Sequence, residues 1–306
     1  MHYENVTTGI FRSRKNRFIA EIELDGEVVL CHVKNTGRCR ELFIPGVKAI
    51  LQESGNPNRK TRYDLIAVYK KGQLINVDSQ VTNTVVEEWV KESGYFRNLT
   101  KVKREVTCGK SRFDLYVEYG DGKKAFIEVK GVTLEENGIA RFPDAPTLRG
   151  VKHVEELAAC RADDYEAYLF FVVQMKQIRY VEPNWNTHPE FGYALRKAAD
   201  AGVHLLAYDC QMTENSIRID QPLPVVIEET GSDGVSTSQI QKMREQIISQ
   251  FFMTIGGWMN TVYGDGIIIF ILNQRSHISV QWNKWQGKRS TDLAHDLFQF
   301  QHIRDP

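Results

Sequence analysis

Between Phe18 and Val77 apolar and polar residues alternate in short runs broken by turn-forming residues. Phe18, Ala20, Ile22 and Leu24 fall on one face of a strand, and Ile19, Glu21 and Glu23 on the other. Asp25-Gly26 predicts a tight hairpin, with Glu27–Val33 as the return strand. Asn35-Thr36-Gly37 turns the chain into one helical turn through Leu42, and Pro45-Gly46 opens a strand over Val47–Gln52. Arg62–Tyr69 and Gln73–Val77 read as a second hairpin about Lys70-Lys71-Gly72. Five short strands of this kind predict a small closed β-barrel, OB-like, over residues 1–83.

After a polar link at Ser79–Thr84 the pattern becomes mixed. Asn83–Tyr95 carries a helical stripe of Val85, Val86, Trp89 and Val90. Lys101–Thr107 reads as a strand, followed by two alternating runs, Arg112–Glu118 and Lys124–Val132. Asn137–Thr147, with two prolines, reads as an irregular loop. Leu148–Arg161 reads as a helix capped by Thr147, with Leu148, Val151, Val154, Leu157 and Ala158 as its buried stripe. The apolar run Ala167–Met175 predicts a strand buried on both faces. Pro189–Ala201, ended by Gly202, is a helix, Val203–Asp209 an interior strand and Ser216–Ile219 an edge strand. This order predicts an α/β domain with a mixed sheet over residues 84–229. Residues 230–238 have linker composition. Residues 239–306 read as a small α+β module: a helix at Gln239–Phe252, a hairpin of Gly266–Asn273 with His277–Trp282, and a helix at Thr291–Gln299. At this size the module is marginal alone, so it is expected to dock on the main body or to self-associate as a homodimer.

Composition excludes more than it selects. Formal net charge is zero, so overall charge points to no partner. Residues 1–83 carry 13 Lys or Arg against 9 Asp or Glu, a weakly basic barrel. The 5 cysteines are scattered, with no C-x-x-C pair, so neither a zinc ribbon nor a disulfide framework is indicated, which fits a reducing cytoplasm. No signal core or membrane-length apolar window is present.

The chemistry concentrates in Phe113–Lys130, where two strands flank Gly120-Asp121-Gly122. With Tyr119 opposite Lys123, Phe113 meets Val129, Leu115 meets Ile127 and Val117 meets Ala125 on one apolar face. The other face then sets Asp114 against Glu128, Tyr116 against Phe126 and Glu118 against Lys124, with Lys130 beside Glu128. Opposed carboxylates destabilise a strand pair unless something neutralises them. Mg²⁺ or Mn²⁺ would do so, and a neighbouring lysine would offset charge developing in a reaction. On spacing alone a solvated hairpin face accounts for the same residues. Glu87 or Glu88 on the preceding helix, and Asp144, are further carboxylates that could join the metal site, but solvated helix acids and a self-bonded turn are the readings favoured for these three.

Asp114 followed by Glu128-x-Lys130 resembles the PD-(D/E)xK nuclease core. Gly138–Thr147 with Arg149-Gly150-Val151-Lys152-His153, together with Asn35-Thr36-Gly37-Arg38, Glu41-Leu42 and Asn58–Thr61, resembles the sugar fermentation stimulation protein A family from about Phe11 to Glu229. That resemblance implies an OB-like barrel before a nuclease-type domain and a DNA-binding protein linked to sugar (maltose-type) fermentation. If the protein is catalytic, it implies Asp114, Glu128 and the Val129 carbonyl on Mg²⁺ or Mn²⁺, with Lys130 positioning water. Arg14, Arg17, Arg38, Arg59 and Lys60 of the barrel, and Arg149, Lys152 and His153 of the helix, are the expected DNA contacts. The same scaffold without chemistry would be a transcriptional regulator. A sugar-metabolising protein has little in its favour, since the chain carries no phosphate loop and no dinucleotide fingerprint.

Overall fold

A computed structural model of the chain describes residues 1–35, 37–228, 270–274 and 277–281. The first domain is built from β1 (Val6–Asn16), β2 (Ile19–Leu24), β3 (Glu27–Val33), β4 (Lys48–Glu53), β5 (Tyr63–Lys70) and β6 (Gln73–Asn76). β1 pairs with β2 and β4, β2 with β3, and β4 with β5; a parallel β3–β5 pairing closes five strands into the OB barrel. The Asp25-Gly26 turn has positive φ at both residues (52° and 86°), as a two-residue hairpin loop requires, and Leu24 faces Glu27 across it.

The barrel differs from expectation in its membership. β1 supplies the fifth barrel strand, and β6 only extends the sheet from β5. Pattern reading misses β1 because its strongly buried side is just Gly9 and Phe11. A Cβ on Gly9 would lie 2.5 Å from Ile22 Cγ2, so the strand crosses too closely for a larger residue. Phe18, read as the first residue of this strand on the face of Ala20 and Ile22, is exposed and precedes β2.

The second domain follows with α1 (Val81–Glu92), β7 (Lys101–Cys108), β8 (Ser111–Tyr119), β9 (Lys123–Val132), β10 (Leu134–Glu136), β11 (Ile139–Phe142), α2 (Leu148–Ala159), β12 (Glu166–Val173), β13 (Tyr180–Pro183), α3 (Pro189–Asp200), β14 (His204–Thr213) and β15 (Ser216–Pro222). Its main sheet runs β15-β14-β12-β9-β8-β7. The three central strands are parallel and the flanking pairs antiparallel, which is the expected mixed sheet. α1 covers one face, packing Val85, Val86 and Val90 on Leu115, Ile127, Phe170 and Tyr208. α2 and α3 cover the other, with Val154, Leu157, Phe191 and Leu195 on Phe126, Leu169, Phe171 and Ala207. β12 lies between the two layers and is buried from Ala167 to Val173. The loop expected at Asn137–Thr147 instead contains β11, which joins β10 and β13 in a small separate sheet.

Side-chain amides and a carboxylate hold the two domains together. Gln174 Nε2 donates to Asn76 Oδ1 and to the Asp78 carbonyl, and Asp144 Oδ2 accepts the Arg38 backbone N–H at 2.9 Å. Among the described residues no helix is long and apolar enough to cross a membrane.

The chain divides into two units, Met1–Thr254 and Ile255–Pro306. In the second, β16 (Phe270–Gln274) pairs antiparallel with β17 (His277–Gln281), Gln274 opposite His277. This is the expected hairpin, with strands shorter than read from sequence. The expected linker at 230–238, the helices at Gln239–Phe252 and Thr291–Gln299, and with them the basis for self-association, lie outside the described residues.

Candidate metal centre and nucleic-acid interface

The hairpin register follows the apolar pattern over part of its length. Tyr119 faces Lys123, Glu118 Lys124, Val117 Ala125, Tyr116 Phe126 and Leu115 Ile127. Gly122, at φ +87°, sits in the three-residue loop. The regular pairing stops at Leu115, which corrects two expected pairs. Phe113 does not meet Val129; it packs on Phe126 at a centroid distance of 5.4 Å, in the core opposite to that of Leu115. Asp114 does not face Glu128 as a regular cross-strand partner; its Oδ2 accepts the N–H of Val129 at 2.8 Å. On the other side, β7 and β8 pair at Arg104–Leu115 and Val106–Phe113 but skip Glu105, whose φ of +55° marks the break. The irregularity turns the Asp114 carboxylate into a cleft between β8, β9 and α2.

That cleft has a volume of about 500 Å³ and is lined by Asp114, Glu128, Val129 and Lys130 from the hairpin and Arg149, Lys152 and His153 from α2. Glu128 is 3% exposed. Its Oε1 accepts from Lys130 Nζ and lies 2.7 Å from His153 Nδ1. Arg149 Nε donates to His153 Nε2 at 3.3 Å, which leaves the Nδ1–H to donate to Glu128. Glu128 Oε2 is buried without a hydrogen-bond partner. Asp114 Oδ1 accepts from Asn83 Nδ2 of α1 at 2.8 Å. Burial, and secondly the nearby Glu128 charge, push the Asp114 carboxyl above its ordinary range. A buried carboxylate oxygen left unpaired costs free energy. A hard divalent cation at Glu128 Oε2 would remove that cost and lower the Asp114–Glu128 repulsion. Two carboxylates with backbone oxygen and water are a normal set for Mg²⁺ or Mn²⁺, so the donors present fit such an ion.

Thr147 caps α2 as expected, its Oγ1 accepting the Gly150 N–H at 2.9 Å. Leu148, expected in the buried stripe, is 81% exposed; the buried residues of α2 are Gly150, Val154 and Leu157. Leu148 is the first helical residue, and burial begins two residues later at Gly150, with Val151 partly buried against the core. The α-helix ends at Ala159 and continues as a 3₁₀ turn, Cys160–Asp163. Thr147→Ala should cost about 1 kcal/mol of stability through the lost cap. Because the cap holds the turn that presents Arg149 and His153, metal affinity should fall as well. Urea unfolding with and without Mn²⁺ measures both effects.

The other expected acids lie elsewhere. Glu87 pairs with Lys91 and Arg104, and Glu88 with the amino group of Met1. Asp144 bonds the barrel's Arg38 backbone rather than its own turn. α1 contributes Asn83 instead, which its sequence does not single out.

The cations divide into three groups. Arg17, Arg38 and Arg40, with Arg14, Asn16, Gly37 and Phe43, line a second cleft of about 490 Å³ on the barrel that contains no acid. Arg17 and Arg38 are exposed. Arg14 is bound internally: its terminal nitrogens donate to the carbonyls of Arg17, Asn35, Gly37 and Arg38, and its guanidinium lies 4.8 Å from the Phe43 ring centre. It shapes the cleft and has no terminal donor left over. Arg59 is likewise bound, to both oxygens of the buried Asp64, and neither it nor the exposed Lys60 lines either cleft. The third group was missed. Lys110 and Arg112 line the cleft at Asp114 and Glu128, and Arg112 was within reach of the sequence, since it precedes Asp114 by two residues on one strand.

Comparison with known proteins agrees with this architecture. The SfsA N-terminal OB domain model matches residues 13–77, and the sugar fermentation stimulation protein RE domain model matches residues 80–216. A sugar fermentation stimulation protein homolog of Desulfitobacterium hafniense is 57% identical over 217 residues, 71% of this chain and 94% of that protein. One from Clostridium beijerinckii is 51% identical over 227 residues, 74% of this chain and 100% of that protein. The structure of Pyrococcus furiosus SfsA in complex with Ca²⁺ matches with a TM-score of 0.68 at 26% identity, covering 74% of this chain and 98% of that one.

Proposed function

The chain belongs to the sugar fermentation stimulation protein family, and we propose that it binds DNA and hydrolyses phosphodiester bonds with a divalent ion held by Asp114 and Glu128. The observation that carries this reading is the unpaired, buried Oε2 of Glu128 next to a buried Asp114 under a cation-edged cleft. The Ca²⁺ complex of the related Pyrococcus protein supports a hard, oxygen-seeking ion, and Mg²⁺ or Mn²⁺ suits hydrolysis. Such an ion supplies Lewis-acid charge to the phosphoryl group. The remaining work belongs to the chain's own groups. Lys130 holds a positive charge where negative charge develops on the phosphate. Arg149 and His153 fix the Glu128 carboxylate. Lys110, Arg112 and Lys152 at the rim attract the DNA backbone, and Arg17, Arg38 and Arg40 extend that attraction over the barrel.

The test is cleavage of labelled single- and double-stranded DNA in Mn²⁺ or Mg²⁺, wild type beside Glu128→Ala. Wild-type cleavage that falls on the order of 10³-fold or more in the variant is expected, since loss of the ion removes several kcal/mol of transition-state stabilisation. Absence of cleavage, with equal salt-sensitive binding by both proteins, would overturn it. One observation favours that second reading, a DNA-binding regulator without chemistry. Lys130 and His153 already contact one Glu128 oxygen, so the protein's own groups offset part of that charge.

A further inference from the structure

Cys108 and Cys160 are 52 positions apart in the chain, yet their sulfurs lie 3.0 Å apart. That is longer than a covalent disulfide of about 2.05 Å, so no disulfide joins them in this structure. Each sits at the end of an element that forms the metal cleft. Cys108 ends β7, between Glu105 and Lys110, both of which line the cleft. Cys160 directly follows α2, whose first turns bring Arg149, Gly150, Lys152 and His153 to the same cleft. Neither thiol has a part in the chemistry proposed for Asp114 and Glu128.

We propose that Cys108 and Cys160 are a redox-active dithiol that peroxides convert to a disulfide, clamping the end of α2 to the β7–β8 hairpin. Cys108, half-buried, is the more accessible of the two. Its thiolate attacks one peroxide oxygen, the O–O bond breaks, and Cys108 becomes a sulfenic acid as hydroxide leaves. The Cys160 sulfur then attacks the Cys108 sulfur and expels the sulfenic oxygen as a second hydroxide. With the two thiol protons counted, two thiols and one hydrogen peroxide give one disulfide and two waters. Each sulfur loses one electron and the peroxide gains two. The other cysteines are poor competitors. Cys31, Cys39 and Cys210 are buried, and burial pushes the Cys31 and Cys39 thiols up to about 12 and raises that of Cys210 as well.

The experiment treats the full chain with hydrogen peroxide, alkylates the remaining thiols and digests without reduction. Mass spectrometry should find one linked peptide pair holding Cys108 and Cys160, with a loss of about 2 Da from the intact chain that dithiothreitol reverses. The clamp closes a long loop, so the oxidised protein should melt several degrees higher than the reduced one. Cys108→Ser, at a half-buried site, should show neither the mass loss nor the rise in Tm. Three results would overturn the proposal: alkylation of both cysteines after peroxide, over-oxidation of Cys108 without linkage, or a linked pair whose Tm does not rise. Since the readout is a peptide and a melting temperature, it does not depend on DNA cleavage.

Discussion

Asp114→Asn is expected to melt at a higher temperature than wild type without metal, to gain nothing from Mn²⁺, and to lose DNA cleavage on the order of 10³-fold. The sign of the stability effect follows from burial. The Asp114 carboxyl is raised in the folded protein by burial first and by the Glu128 charge second. Below its unfolded value of about 3.9 it is protonated in both states and contributes no pH dependence. As pH rises, the unfolded chain releases the proton first, so stability falls until the folded carboxyl has ionised too. Asparagine has no charge to bury, and its side-chain oxygen can still accept the Val129 N–H that Asp114 accepts now. A bound metal would act in the opposite direction, because it would bind the ionised form. The Mn²⁺-induced rise in wild-type Tm should therefore grow as pH climbs through the same window. An ion at 100 times its Kd stabilises by about 2.7 kcal/mol, and the variant should lack that gain. Melting curves between pH 4 and 8, with and without Mn²⁺, give the answer. An undiminished Mn²⁺ response in Asp114→Asn would remove Asp114 from the ligand set.

The same residue shows how far sequence reaches. Register from Leu115 to Tyr119 was legible because one strand face is wholly apolar, and a one-residue slip would expose it. The break at Asp114 was not, because it depends on Glu105 adopting a positive φ and on a side chain replacing a ladder contact, neither of which alternation encodes. β12 was legible for the same reason as the hairpin: a run buried on both faces has little else to be. β1 was not, since its pairings with β2 and β4 bury so few of its side chains. Charge proved the least legible property. Arg14, Arg59 and Arg38 look alike in sequence, but Arg14 is spent on four carbonyls, Arg59 on Asp64, and Arg38 is exposed. What separates them is the set of long-range partners brought in by the fold. His153 is similar: helical spacing put it beside Arg149, but its contact with Glu128 needed the packing of α2 on the sheet.

Phe170→Ala should cost about 3–5 kcal/mol, a large share of the 5–15 kcal/mol that holds a typical domain together. Phe170 is fully buried in β12, next to Val129 of β9. Its ring stacks on Tyr208 at 5.3 Å and meets the edge of Trp89 at 5.0 Å. Truncation removes both aromatic contacts and leaves a cavity under α1 that the stiff central sheet cannot close. The position also bears on the Asp114–Glu128 site. Trp89 lies on α1, and α1 carries Asn83, which donates to Asp114. A looser α1 should weaken that hydrogen bond, so the variant should bind Mn²⁺ less tightly even where it remains folded. Phe171→Ala is the matched control. Phe171 is as deeply buried but lies in the core beneath α2 and α3, where it packs on Phe142. Both variants should lose comparable stability in urea, while at equal folded fraction only Phe170→Ala should disturb the Asn83–Asp114 side of the site. Equal losses of Mn²⁺ affinity in the two would mean that α1 does not position Asp114, and that the metal site answers to the stability of the sheet as a whole.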